Sequence, residues 1–111
     1  MMNKRHRIDD EVKEQVALAI REIKDPRLSS LITVVAAEVS QDLKHAKIYV
    51  SILGSSEEEK SSNLEILKNS SGFLRTTISK RTSLRTAPQL HFFIDTSLDS
   101  AMKIENILKG L

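Results

Sequence analysis

The sequence predicts an α+β fold: a small three-stranded mixed sheet with helices on one face. Two β-branched runs lie close together in the first half of the chain. A third alternating run follows two helical segments, so its strand returns through a crossover. The chain opens on apolar residues at helical spacing.

Ile8, Val12, Val16, Ala19, Ile20 and Ile23 recur at that spacing, while Lys13, Glu14, Arg21 and Lys24 fall off the stripe. A helix is expected over about 8–24. It stops at Asp25-Pro26, because the proline ring disfavours helical geometry in the preceding residue. Leu31 to Val39 is a first strand. Ser40-Gln41-Asp42-Leu43-Lys44 is a polar turn. Ala46 to Leu53 alternates Ile48, Val50 and Ile52 against Lys47, Tyr49 and Ser51, a second strand and a hairpin partner of the first.

Gly54-Ser55-Ser56 ends that strand. Ser56 and Glu59 have the form of a capping box, and Glu57, Glu58 and Glu59 suit the positive end of a helix dipole. This helix, with Leu64, Ile66 and Leu67, runs to about Asn69. Ser70, Ser71 and Gly72 mark a kink, and Phe73, Leu74 and Ile78 resume the pattern to about Arg81. Phe73 and Phe92 fall on core patterns. Thr86-Ala87-Pro88 breaks the chain before a third strand, Gln89 to Asp95, with Leu90, Phe92 and Ile94 on one side. Ser97 caps a last helix through Leu98, Ala101, Ile104 or Glu105, Leu108 and Leu111. The order α-β-β-α-(kink)-α-β-α is that of the type II KH-like fold.

With 111 residues, one domain is expected over 1–111, with about 1–6 as a flexible end. A chain of this size can bury roughly 65% of its unfolded surface. No Cys is present, which removes disulfides, zinc ribbons and thiol chemistry. No apolar run approaches the roughly 20 residues of a membrane span, and the polar start does not read as a signal peptide. A cytoplasmic protein is expected.

Charge is the most informative feature. The net charge is only +2, yet from Ile66 to Ile94 there is no Asp or Glu, while 15 acids occupy the rest. That stretch holds Lys68, Arg75, Lys80, Arg81 and Arg85, a candidate RNA-binding set expected on one face. Lys4, Arg5 and Arg7 either extend it or belong to a frayed end. The competing reading is a solvated helix face, but such faces usually interleave signs. Gly72 either marks a structural bend or lets an RNA backbone approach. Only Tyr49, Phe73, Phe92 and Phe93 are aromatic, too few for an RRM-like stacking platform. His6, His45 and His91 show no ligand spacing, so no metal site is expected. Asp95 and Asp42 read as capping and turn residues. No phosphate-binding glycine loop, dinucleotide fingerprint or nucleophile elbow is present. No catalytic residue, cofactor or small-molecule substrate is expected.

Several segments then carry a resemblance. They are Lys24-Asp25-Pro26-Arg27-Leu28, Val39-Ser40-Gln41-Asp42-Leu43 and Ala46-Lys47-Ile48-Tyr49-Val50-Ser51. Further on come Gly72-Phe73-Leu74-Arg75, Leu84-Arg85-Thr86-Ala87-Pro88-Gln89-Leu90-His91-Phe92 and Asp95-Thr96-Ser97. In this order they resemble the bacterial ribosome-binding factor A family, from about Arg5 to Leu108. The resemblance implies a cytoplasmic assembly factor whose partners are the free small (30S) ribosomal subunit and 16S rRNA; a monomeric, non-enzymatic RNA-binding factor is expected. It also implies a role in late maturation near the 5′ end of that RNA, including at low temperature. The family has Ala-x-Gly at the helix junction, where this chain has Ser70-Ser71-Gly72. The Ser70 hydroxyl is expected to bond a carbonyl one turn back and alter the bend. The rival reading is a protein-interaction module that uses the sheet face with Tyr49 and His91.

Overall fold

Val12, Val16, Ala19 and Ile20 form the buried stripe of helix α1, Lys4–Ile20. The computed structural model describes residues 4–29, 31–82, 84 and 86–95. The expected helix after Ser97 and the side chain of Arg85 lie outside the described residues. Helix α1 starts earlier and stops earlier than its apolar spacing predicts, so residues 4–6 are helical. Past Ile20 the chain tightens. Glu22 N–H donates to Ala19 O at 3.0 Å and Ile23 N–H to Ile20 O at 3.1 Å. Asp25 then takes over as hydrogen-bond acceptor, receiving Arg27 N–H at 2.9 Å and the Arg27 guanidinium at 2.9 and 3.2 Å. A carboxylate that competes for nearby donors, followed by Pro26, favours a turn over another helical turn.

Strand β1, Ile32–Val39, pairs antiparallel with β2, His45–Ile52. A bulge between Val34 and Ala36 resets the alternation. Val34, Ala37 and Val39 therefore all face the core, and Val35 is exposed. The turn between the strands is tied by Asp42, which accepts from the Ser40 hydroxyl at 2.6 Å and from Lys44 N–H at 3.0 Å. Leu43 adopts φ 61°, a left-handed conformation uncommon outside glycine. Strand β3, Gln89–Ile94, lies parallel to β2, with Ala46 opposite Leu90, Ile48 opposite Phe92 and Val50 opposite Ile94. The sheet order is β1-β2-β3, and the parallel pairing of β2 with β3 is what a crossover connection provides.

That crossover holds α2, Glu57–Asn69, and α3, Ser71–Arg81. At the start of α2, Ser56 Oγ accepts from Glu59 N–H at 3.2 Å. The return contact runs from the Ser56 hydroxyl to Glu59 Oε1, at 3.3 Å. Helix α1 packs on β1 and α3, and α2 packs on β3. All three helices share the face that carries Ala46, Ile48, Val50, Leu90 and Phe92. Ile48, Leu67, Leu74 and Ile78 are fully buried there, and truncating any one to Ala would cost about 2–5 kcal/mol. Among the described residues Asn63 is the buried polar exception, 3% exposed. Its Oδ1 accepts from Ser29 N–H at 2.6 Å and its Nδ2 donates to Glu59 O at 2.7 Å. It pins the segment before β1 to α2.

Candidate nucleic-acid interface

The break between α2 and α3 falls on Ser70, at φ −91° and ψ 3°. Its N–H is shared between Ile66 O at 3.0 Å and Leu67 O at 3.2 Å, and its carbonyl accepts from Leu74 N–H at 3.0 Å. Ser70 thus leaves the helical path with its own N–H and carbonyl both bonded. The back-bonded hydroxyl belongs to Ser71, which donates to Lys68 O at 2.6 Å, while the Ser70 side chain makes no capping bond. Gly72 is already inside α3. It is exposed, and a Cβ built on it would meet nothing within 4 Å. The bend does not require glycine at this position.

Helix α3 spreads its cations around its axis. Its buried stripe is Leu74 and Ile78. At about 100° per residue, Arg75 flanks that stripe on one side and Arg81 on the other, about 120° apart. Lys80 points away from the core. The expectation of one common basic face therefore changes. Arg75 is half-buried, donates from Nη2 to Ala87 O at 3.2 Å, and has a buried Nε without a partner among the described residues. It acts as a strut between α3 and the segment leading into β3. Lys80 and Arg81 are exposed. Lys68 is exposed in the last turn of α2, on the other side of the break.

Packing of α1 against α3 supplies cations that the acid-free stretch did not reveal. A groove of about 550 Å³ is lined by Arg21, Glu22, Lys24, Phe73, Thr77, Lys80 and Arg81. The one acid among its described residues, Glu22, is held by Arg81, Nη2 to Oε1 at 2.7 Å. Arg21, Lys24 and Lys80 have no acidic partner among the described residues. The sequence signal for Arg21 and Lys24 was their position off the apolar stripe. It was masked by Glu22 and Asp25 beside them. Lys80 also borders a shallower recess of about 450 Å³ with Gly72, Arg75, Thr76, Ser79, Thr86 and Ala87. Lys80 thus links the two hollows across the outer surface of α3.

Phe73 is not a core residue. It is 47% exposed and opens into the basic groove. The opposite sheet face carries further aromatic character. Tyr49 and Phe93 stack with ring centroids 5.6 Å apart. His45 and His91, distant in sequence, meet with Nδ1 3.0 Å from Nε2. One imidazole must donate and the other accept. Among the described residues no three His, Cys, Asp or Glu side chains gather as metal ligands, and no helix is long and apolar enough to cross a membrane.

The kinked pair of helices over a three-stranded mixed sheet has close relatives. In the crystal structure of ribosome-binding factor A from Thermus thermophilus it superposes with a TM-score of 0.72 at 27% identity, covering 83% of this chain and 97% of that one. Coordinates of the T. thermophilus factor, fitted as a homology model into a cryo-EM map of its 30S complex, match with a TM-score of 0.69 at 28% identity. They cover 85% of this chain and 97% of that one. Ribosome-binding factor A of Clostridium perfringens is 44% identical over 106 residues, 95% of this chain and 91% of its own length. The sequence model of the family, described as ribosome-binding factor A, spans residues 4–108, from the first turn of α1 to beyond β3. With fold, sequence and near-complete coverage in agreement, the chain belongs to the ribosome-binding factor A family.

Proposed function

We propose that this chain binds the free small ribosomal subunit by docking the α1–α3 groove on 16S rRNA. There it assists late maturation near the 5′ end of that RNA, including at low temperature. The observation that carries this reading is the groove itself. It gathers four cations, from α3 and from the segment just after α1, around one neutralised acid, a surface suited to phosphates. The 30S complex reported for the T. thermophilus factor supports the choice of partner. In this reading the whole chain is one RNA-binding domain and acts as a cytoplasmic monomer. It uses no cofactor, metal or small-molecule substrate and turns nothing over. Its effect is geometric: it holds a local rRNA arrangement until neighbouring elements mature. Arg85 extends the binding set, and Arg75 supports it from behind.

A second reading has an observation in its favour. The sheet face left open by the described residues carries the exposed Val35 and Phe93 beside Tyr49 and His91, a surface that could seat a protein partner. One experiment separates the two. Small-subunit binding is measured across salt concentrations for the wild-type chain and for Lys24→Ala, Lys80→Ala and Arg85→Ala combined. Each phosphate contact contributes about 0.7–0.9 to the slope of log affinity against log salt, so the triple variant should flatten it by roughly 2 to 3 units. A folded triple variant with unchanged affinity and slope rejects the groove and turns attention to the sheet face. Sedimentation of the tagged chain with free small subunits, and its absence from translating ribosomes, tests the partner.

A further inference from the structure

We infer that Phe73 is a stacking platform for an unpaired nucleotide base, and that the groove recognises an RNA segment with an extruded or single-stranded residue. This rests on the RNA-binding reading above and adds to it the class of RNA element taken.

Single exposed apolar side chains are common and need no explanation by themselves. Phe73 differs from the others in its surroundings. Phe93 is also exposed, but its ring is stacked on Tyr49. Phe73 has no ring partner among the described residues. It is the only aromatic in a groove whose other lining residues are cationic, hydroxylic or an already paired acid. Among the described residues, a protein partner would find no second apolar side chain in that groove to extend the contact. A nucleotide finds both of its needs met: a π face for the base, and unpaired cations at Arg21, Lys24 and Lys80 for the flanking phosphates.

Local geometry keeps the ring available. The Thr77 hydroxyl donates to Phe73 O at 2.9 Å, so it is satisfied within the helix and does not compete for the base. Phe73 precedes Leu74, which is fully buried, so the backbone of this turn is anchored while the neighbouring ring faces outward. Gly72 leaves the adjoining surface without a side chain. A strand whose base lies on Phe73 can pass over Gly72 with one phosphate near Lys80, which borders both hollows. An A-form duplex cannot use the ring in this way, because its bases are already stacked on each other.

The test uses the full-length chain and two RNA probes of equal charge. One is a hairpin with a single bulged 2-aminopurine, and the other is a hairpin of the same nucleotide number in which the 2-aminopurine is paired with uridine in the stem. The variants are Phe73→Leu, Phe73→Trp, and Lys24→Ala with Lys80→Ala. Thermal melts confirm that each is folded. The wild-type chain should prefer the bulged probe and quench its fluorescence. Phe73→Leu should lower affinity for the bulged probe by about five- to 150-fold and remove the quench, with little effect on the salt slope. Phe73→Trp should restore both. The double cation variant should flatten the salt slope on both probes. If Phe73→Leu binds both probes as the wild type does while the cation variant weakens both, stacking is overturned and the phosphate reading stands. If Phe73→Leu weakens small-subunit binding but neither probe, the ring contacts a protein, and the proposal also fails. If the wild-type chain binds neither probe nor isolated 16S rRNA, the RNA reading falls and takes this inference with it.

Discussion

Arg81 and Glu22 are brought together at 2.7 Å by the packing of α3 against the end of α1. The pair cancels one positive and one negative charge inside the groove. Both side chains are substantially exposed, so the bridge should contribute only about 0–1 kcal/mol to stability. Its larger effect is on the field that an RNA would meet.

Glu22→Gln should therefore release Arg81 with little loss of stability. RNA binding should tighten at low salt. The salt slope should steepen by about 0.7–0.9, the amount for one further phosphate contact. Small-subunit binding at several salt concentrations measures both effects.

Gly72→Ala should stabilise the fold. Glycine inside a helix is less favourable than alanine by about 0.5–1 kcal/mol, and here the new methyl meets nothing within 4 Å. Denaturant unfolding should give a higher midpoint with the same slope. Reduced small-subunit binding in the same, more stable variant would assign Gly72 to RNA approach and not to the kink.

Asn63→Leu should destabilise the fold although it adds apolar surface. It would leave the Ser29 N–H without its 2.6 Å acceptor. Ser29 is only partly buried, so the loss should fall toward the low end of the roughly 1–3 kcal/mol that an unsatisfied buried donor costs. Equilibrium unfolding of the variant measures the loss.

Asp25 should titrate below its ordinary value of 3.8, because Arg27 donates side-chain and backbone hydrogen bonds to its carboxylate. The folded state favours the ionised form. The contribution of this clip is therefore present above the ordinary carboxylate value and is lost as pH falls through the lowered folded value. Carboxyl NMR titration should show the depressed midpoint, and Arg27→Ala should return it toward 3.8.

Element order as far as β3, the hairpin and the break at Ser70 to Gly72 were legible in the chain alone, because they are local matters. Alternation of Ile48, Val50 and Ile52, the proline at 26 and the Ser56–Glu59 cap act within a few residues of where they stand. The missing acids likewise located the cations of α3. Tertiary packing decided which of them act together. Arg75 and Arg81 read alike in sequence, but helical rotation sends one to Ala87 O and the other to Glu22. Phe73 fitted a core pattern because it adjoins Leu74, yet the buried stripe of α3 is narrow and excludes it. Arg21 and Lys24 joined the site only when α1 packed against α3, and His45 met His91 only through the parallel pairing of β2 with β3. Periodicity reports how a residue sits on its own element. It does not report which other element that residue will face, because that depends on how the elements bury their apolar stripes against one another.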